Sequence, residues 1–168
     1  VGPGLGQSDW SEYLLQMAAA SGKPMVLDAD GLNLLAAGRI GGEQRRDNWV
    51  LTPHPGEAAR LLQCSNAQIQ ADRFAAVRAL QQRYGGVVLL KGSGSLIADS
   101  DEVVVSDYGN PGMASGGMGD VLSGVIGSLL AQHLPPLRAT ALGVCLHGAA
   151  ADIAADEGQR GLLASALI

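Results

Sequence analysis

A layered α/β domain on a largely parallel sheet, flanked by helices, is the fold class the sequence predicts. Three observations carry that expectation. The short apolar runs Met25-Val26-Leu27, Trp49-Val50-Leu51 and Val87-Val88-Leu89-Leu90 read as buried strands. Segments of helical periodicity separate them, as they do where crossover helices join parallel strands. Each run also ends in a polar or glycine-rich segment: Asp28 to Asp30, Thr52 to Glu57, and Lys91 to Ser95. In open α/β sheets ligands bind at such carboxyl ends, so these segments, with Gly2 to Gly6, are expected to converge on one edge of the sheet.

Each element follows from local chemistry. Val1 to Gly6 reads VGPGLG, a strand end opening into a tight loop. Ser8 or Asp9 can cap a helix over Trp10 to Ala20, which Gly22-Lys23-Pro24 stops. Gly31 to Ala37 is a short helix, and Gly38 to Asn48 a polar excursion. Pro53 and Pro55 flank His54 and hold its backbone extended. Helical spacing resumes from Glu57 to Gln63, and again from Ala67 to Arg83 after a Ser65 or Asn66 cap. Ser95 to Ala98 and Val103 to Val105 form a hairpin around Asp99-Ser100-Asp101. Tyr108 to Gly119 is a long glycine loop, followed by alanine-rich helices over Asp120 to Gln132 and Leu137 to Asp156. With no linker and no internal repeat, residues 1–168 form a single domain.

Composition narrows the functional classes. Apolar residues make up 47% and charged residues 16%, enough for a core and too little charge for a disordered chain. Eleven basic residues against sixteen acidic ones, with only 4% aromatics, argue against nucleic acid as a partner. Cys64, Cys145, His54, His133 and His147 fall into no metal-ligand spacing, and no metal site is expected from them. The two cysteines read as reduced thiols, so a cytoplasmic location is expected. No apolar stretch reaches the roughly 18–20 residues that span a bilayer, no signal peptide is visible, and no membrane partner is expected.

The richest segment is GNPGMASGGMGDVLSG at 109–124. Glycines ahead of a helix leave its first N–H groups open to a close ligand, as for a phosphoryl group in transfer. Asp120 at that mouth either takes a proton from an attacking hydroxyl or caps the helix and balances its dipole. A GxxxxGK[ST] phosphate loop is absent, and neither Gly112 to Gly119 nor Gly4-Leu5-Gly6 fits G-x-G-x-x-G. G-x-S-x-G is also absent, which disfavours a serine nucleophile. Lys91 at a strand end either meets a phosphate or snorkels to the surface. His54 is a loop histidine at a strand end, and His147, on an apolar helix, reads as a satisfied core or interface residue.

In this order the segments resemble the dehydratase family that repairs hydrated NADH and NADPH, within the ribokinase-like superfamily. The matching stretches are GPGLG at 2–6, LDADGLNLLA at 27–36, LTPHPGEAARLL at 51–62, LLKGSGSLIAD at 89–99, the glycine segment at 109–132 and LHGAAADIAA at 146–155. The resemblance implies a ribokinase-like fold and a carbon–oxygen lyase reaction. ADP, or ATP in some members, phosphorylates the hydroxyl on the damaged ring, and phosphate is then eliminated. It implies that Asp120 is the base and that Gly116, Gly117, Met118 and Gly119 form the anion hole. Lys91, Gly92, Ser93, Gly94, Ser95 and Gly119 would contact the adenine nucleotide. Gly6, His54 and Asp120 would contact the hydrated dinucleotide, with Asn110 near phosphates or a metal. Mg²⁺ is the implied cofactor, neutralising the polyphosphate. Family members carry more chain before GPGLG, so N-terminal strands are expected to be missing here, leaving the domain partial. Many bacterial members also carry an epimerase domain, and a homo-oligomer is the expected assembly. Two other readings stand beside this one: a hydroxymethylpyrimidine or hydroxyethylthiazole type of kinase, and a non-catalytic nucleotide-binding fragment.

Overall fold

Alternation along the strands decides the layers. Leu27, Trp49, Leu51, Val88, Leu90 and Leu96 point to one face of the sheet, and Val26, Val50, Val87, Leu89 and Ile97 to the other. Strands buried on both faces lose the polar alternation of an exposed sheet, which is why they read as continuous apolar runs. The structure, a computed structural model, describes residues 1–40, 42 and 44–168. Its helices are α1 (Asp9–Ala20), α2 (Ala29–Ala36), α3 (Pro55–Leu62), α4 (Asn66–Ala71), α5 (Arg73–Tyr84), α6 (Met118–Ala131) and α7 (Pro136–Ala154). The strands are β1 (Met25–Leu27), β2 (Trp49–Leu51), β3 (Val87–Leu90), β4 (Ser95–Ala98) and β5 (Val103–Ser106).

The sheet order is β1-β2-β3-β4-β5. β1, β2 and β3 pair in parallel, and β4 and β5 extend the sheet as an antiparallel hairpin. All strands but β4 therefore run the same way, and the expected α/β fold class holds. Val1 adds to the outer edge of β1, donating to the Val26 carbonyl and accepting from the Asp28 N–H. The first face is covered by α1, α2, α3 and α5, the second by α6 and α7. Trp49 and Tyr84 anchor the larger core and satisfy their polar atoms there: Trp49 Nε1 donates to the Tyr84 carbonyl, and Tyr84 Oη to the Leu61 carbonyl. No helix of the described residues is long and apolar enough to cross a membrane.

Several boundaries differ from the sequence expectation. The helix expected over Ala67 to Arg83 is broken at Asp72, whose φ of −148° and ψ of 88° are not helical. Asp72 Oδ1 accepts from the Ala75 N–H, so the break doubles as the cap of α5. α6 begins at Met118 rather than Asp120, because Gly117 takes the left-handed φ of 87° that starts the helix earlier. α2 begins at Ala29 with Asp28 as its cap, and α3 at Pro55, where the ring's fixed φ suits a first helical position. The glycine loop contains a 3₁₀ turn over Pro111–Met113, and α7 ends at Ala154. Within the expected excursion from Gly38 to Asn48, positions 41 and 43 lie outside the described residues.

Candidate active site

The carboxyl ends of the parallel strands meet as expected, and Asp28 is the joint. It follows β1, is 2% exposed, and caps α2 by accepting from the Ala29 N–H. The same Oδ1 accepts from Lys91 Nζ at 2.8 Å, and Oδ2 accepts from Ser123 Oγ at 3.0 Å. One buried carboxylate thus ties the ends of β1 and β3 to the second turn of α6. Ala29, next to it, holds a left-handed φ of 47°, a strained position for a residue with a Cβ. Lys91 neither snorkels nor points freely at solvent: its ammonium is paired beneath α6, and its backbone N–H extends the ladder to the Pro53 carbonyl.

The GPGLG turn presses against this joint. A Cβ on Gly2 would lie 1.8 Å from the Asp28 carbonyl oxygen, so only glycine fits. Leu5 N–H closes the turn on the Gly2 carbonyl, and Gly6 N–H donates to Asp30 Oδ2 at 2.8 Å. His54 stands at the start of α3 in a capping box. Its Nδ1 accepts from the Gly56 N–H, while Glu57 Oε2 accepts from the His54 N–H. Because Nδ1 is an acceptor, the ring proton belongs on Nε2, 3.5 Å from Glu57 Oε1. Glu57 is buried, while the imidazole remains half exposed at the site's edge.

α6 starts differently from every helix on the opposite face. Ser8, Asp28, His54, Ser65 and Asp72 each cap a helix with a side chain, whereas no side chain caps α6. Among the described residues no hydrogen bond of ordinary geometry takes the N–H of Gly116, Gly117, Met118 or Gly119. Four donors are therefore open at the positive end of a 14-residue helix, an arrangement suited to an anion. Gly119 faces Lys91 so closely that a Cβ there would lie 3.3 Å from Nζ and 3.4 Å from Asp28 Oδ2. Asp120, in the first turn, is exposed and makes no cap bond, which removes capping as its role. It complements the dipole and leaves its carboxylate open to a ligand.

A second set of open donors follows β3. Between β3 and β4, the N–H groups of Gly92, Ser93 and Gly94 have no acceptor among the described residues. Successive free amides in a tight turn form a concave anion site. Ser95 Oγ donates to the Gly92 carbonyl, closing the turn.

The glycine segment 109–117 owes its shape to α7 and the C-terminal residues. A Cβ on Gly148 would lie 2.6 Å from Tyr108 Cβ, so glycine lets the loop rest directly on α7. Asp152 accepts from Gly109 N–H and Asn110 Nδ2, and Ser115 Oγ donates to the Leu162 carbonyl. Asn110 has no free polar atom: Nδ2 also donates to the Ala151 carbonyl, and Oδ1 accepts from Gly112 N–H. These bonds shape the loop. Met118 buries its side chain with Ala151 and Leu162, leaving only its backbone to the site. His147, read from the sequence as a satisfied core or interface residue, is buried with Nε2 unpartnered. Burial holds its pKa below the usual imidazole range, opposed in part by the Met118 carbonyl.

Sequence reasoning placed Asp28 among the convergent strand ends without a partner, and did not single out Ser123 or Asp152. Their partners lie 63, 95 and 43 residues away, and no local pattern announces such contacts. Among the described residues no three His, Cys, Asp or Glu side chains group to hold a metal ion.

The profile of the NAD(P)H-hydrate dehydratase family matches residues 1–168. The chain is 53% identical over 169 residues to a bifunctional NAD(P)H-hydrate repair enzyme of Coxiella burnetii, covering 99% of this chain and 34% of that protein. It is 52% identical over 134 residues to an ADP-dependent (S)-NAD(P)H-hydrate dehydratase of Neisseria meningitidis, covering 78% of this chain and 45% of that protein. An ADP/ATP-dependent NAD(P)H-hydrate dehydratase of Bacillus subtilis, co-crystallised with ATP and Mg²⁺, superposes with a TM-score of 0.86 at 31% identity, over 99% of this chain and 59% of that one. Ribokinase-like kinases share the fold alone. The chain thus spans about a third of the length of the first curated relatives it matches.

Proposed function

Because the chain belongs to the NAD(P)H-hydrate dehydratase family, we propose that it carries the dehydratase site that returns hydrated NADH and NADPH to NADH and NADPH at the expense of ADP. The observation that carries this reading is the uncapped start of α6, with four open N–H groups and the exposed Asp120 in its first turn. Donors aimed at developing phosphoryl charge stabilise it without reorganisation, because the backbone is already fixed. Asp120 accepts the proton of the ring hydroxyl as that oxygen attacks the terminal phosphorus of ADP. The phosphorus–oxygen bond to AMP breaks in the same step. The phosphorylated ring then loses phosphate as its carbon–oxygen bond breaks and a neighbouring carbon gives up a proton.

The residues divide between the two ligands. The turn Lys91 to Ser95, with Gly119, receives the nucleotide through its free amides. Gly6, His54 and Asp120 receive the hydrated dinucleotide, with Glu57 and Asp30 holding the first two in place. Lys91 acts through Asp28, as the counter-charge that sets the end of β3 beneath Gly119. Mg²⁺ would arrive on the polyphosphate, because the described residues hold no cluster of carboxylates for it and Asp28 is already engaged by Lys91 and Ser123. Its chemistry there is charge neutralisation. An accompanying epimerase domain is proposed on the same ground, since the Coxiella relative is named bifunctional.

The test is turnover of hydrated NADH with ADP and Mg²⁺, followed by the returning absorbance of the reduced nicotinamide and by release of AMP. Appearance of NADH with stoichiometric AMP supports the proposal. A stable phosphorylated alcohol in place of NADH would make the chain a small-molecule kinase instead.

A further inference from the structure

Two cations approach the turn between β3 and β4, and only one is neutralised. Lys91 is paired with Asp28. Arg73, the first residue of α5, has no carboxylate within ion-pair distance among the described residues. Its guanidinium lies behind the turn instead, Nη1 donating to the Ser93 carbonyl and Nη2 to the Leu90 carbonyl. Nε is buried and unpartnered. A Cβ on Gly92 would lie 3.0 Å from Nη2, so the turn sits directly on the guanidinium.

These contacts orient the turn. A trans peptide points its N–H opposite to its carbonyl. With the Ser93 carbonyl held inward by Arg73, the Gly94 N–H faces away from the guanidinium, toward the side where it has no protein acceptor. The break at Asp72 makes this possible: it ends α4 and starts α5 at Arg73, where an unbroken helix would have had no free first turn to place there.

We infer that Arg73 is the positioning residue of nucleotide affinity, clamping the turn Lys91 to Ser95 from behind with the Gly94 N–H outward and supplying an uncompensated positive charge beneath the bound phosphates. This deepens the proposed nucleotide role of that turn and rests on it. A charge acting behind the turn affects phosphates more than the base or sugar, so its removal is read by ligands of graded charge. Guanidinium hydrogen bonds to carbonyls are charge-assisted and stronger than neutral ones, and lysine cannot reproduce the two-carbonyl fork.

Binding of ADP, AMP and adenosine is measured by calorimetry on the unsubstituted chain, Arg73→Met and Arg73→Gln, together with KM for each substrate and kcat. The expected result for Arg73→Met is a loss of ADP affinity of about ten- to a hundredfold, a smaller loss for AMP, and adenosine nearly unchanged. KM for hydrated NADH and kcat at saturating ADP stay within a few fold. Arg73→Gln, which keeps amide donors without the charge, is expected to show the same graded loss, and it carries the test if Arg73→Met does not fold. Equal losses for all three ligands would reduce Arg73 to a structural prop and overturn the inference, as would unchanged ADP affinity in both variants. Failure of the unsubstituted chain to bind ADP would overturn the nucleotide role of the turn itself, and with it this inference.

Discussion

α3 and α6 both begin at the carboxyl edge of the sheet, and they begin in opposite ways. At α3, His54 and Glu57 close the helix start with a reciprocal pair of bonds, and Pro55 removes one donor outright. At α6, glycine replaces the cap and four N–H groups stay open. An unfilled cap forgoes about 1 kcal/mol of helix stability. The difference teaches where binding capacity is held: stability is complete at α3, so an exposed imidazole can sit there without loosening the backbone. At α6 the donors are withheld from the fold, as the proposed anion site requires.

The sharpest way to break the comparison is at the open start. Asp120→Asn is expected to slow turnover by about 10²–10⁴-fold and to leave ADP binding nearly intact, checked by steady-state rates beside calorimetry. Equal loss of both would make Asp120 a binding residue. The next effect lies at the joint beneath it. Asp28→Ala strands the Lys91 ammonium, uncaps α2 and frees Ser123, and is expected to cost about 3–5 kcal/mol, read from urea unfolding. At the closed start, His54→Ala removes one cap bond, with a stability loss of about 1 kcal/mol and a raised KM for hydrated NADH in the same preparation. A loss of stability alone would leave His54 a cap and nothing more.

The smallest expected effect is on pH. His147 has an ordinary value of 6.5 in the unfolded chain and a lower one when buried. Below 6.5 the unfolded state takes up a proton that the native state does not, so stability is full above that pH and declines as pH falls toward the folded value. The melting temperature should therefore drop between neutral and mildly acidic pH, and His147→Gln should flatten part of that drop. A pH profile unchanged by the substitution would remove His147 as its source.

Strands and helices were legible because their causes are local. Val87 to Leu90 is a run of four apolar residues, and the glycines of 109–119 mark the loop on any reading. The break at Asp72 was not, because helical spacing continues on both sides and an aspartate is tolerated within a helix. The candidate residues that the sequence points to are those at strand ends, as Lys91 and His54 are. What each one touches was hidden. Lys91 reads equally as a phosphate contact or a snorkelling side chain, and its pairing with Asp28, just past β1, shows only in the fold. Asn110 reads as a ligand residue until its polar atoms are seen to be taken by Gly112, Ala151 and Asp152.

The joint at Asp28 also fixes when the site can exist during folding. Its partners on β3 and α6 are 63 and 95 residues further along the chain. Contacts of such separation close long loops and cannot form before the distant segments have come together. With β1 to α5 assembled and α6 still undocked, the carboxylate would lack its Ser123 partner and Lys91 would have no Gly119 above it. The α6 end of the proposed site is thus absent until α6 docks, whereas the turn Lys91 to Ser95 is complete once the hairpin joins the sheet.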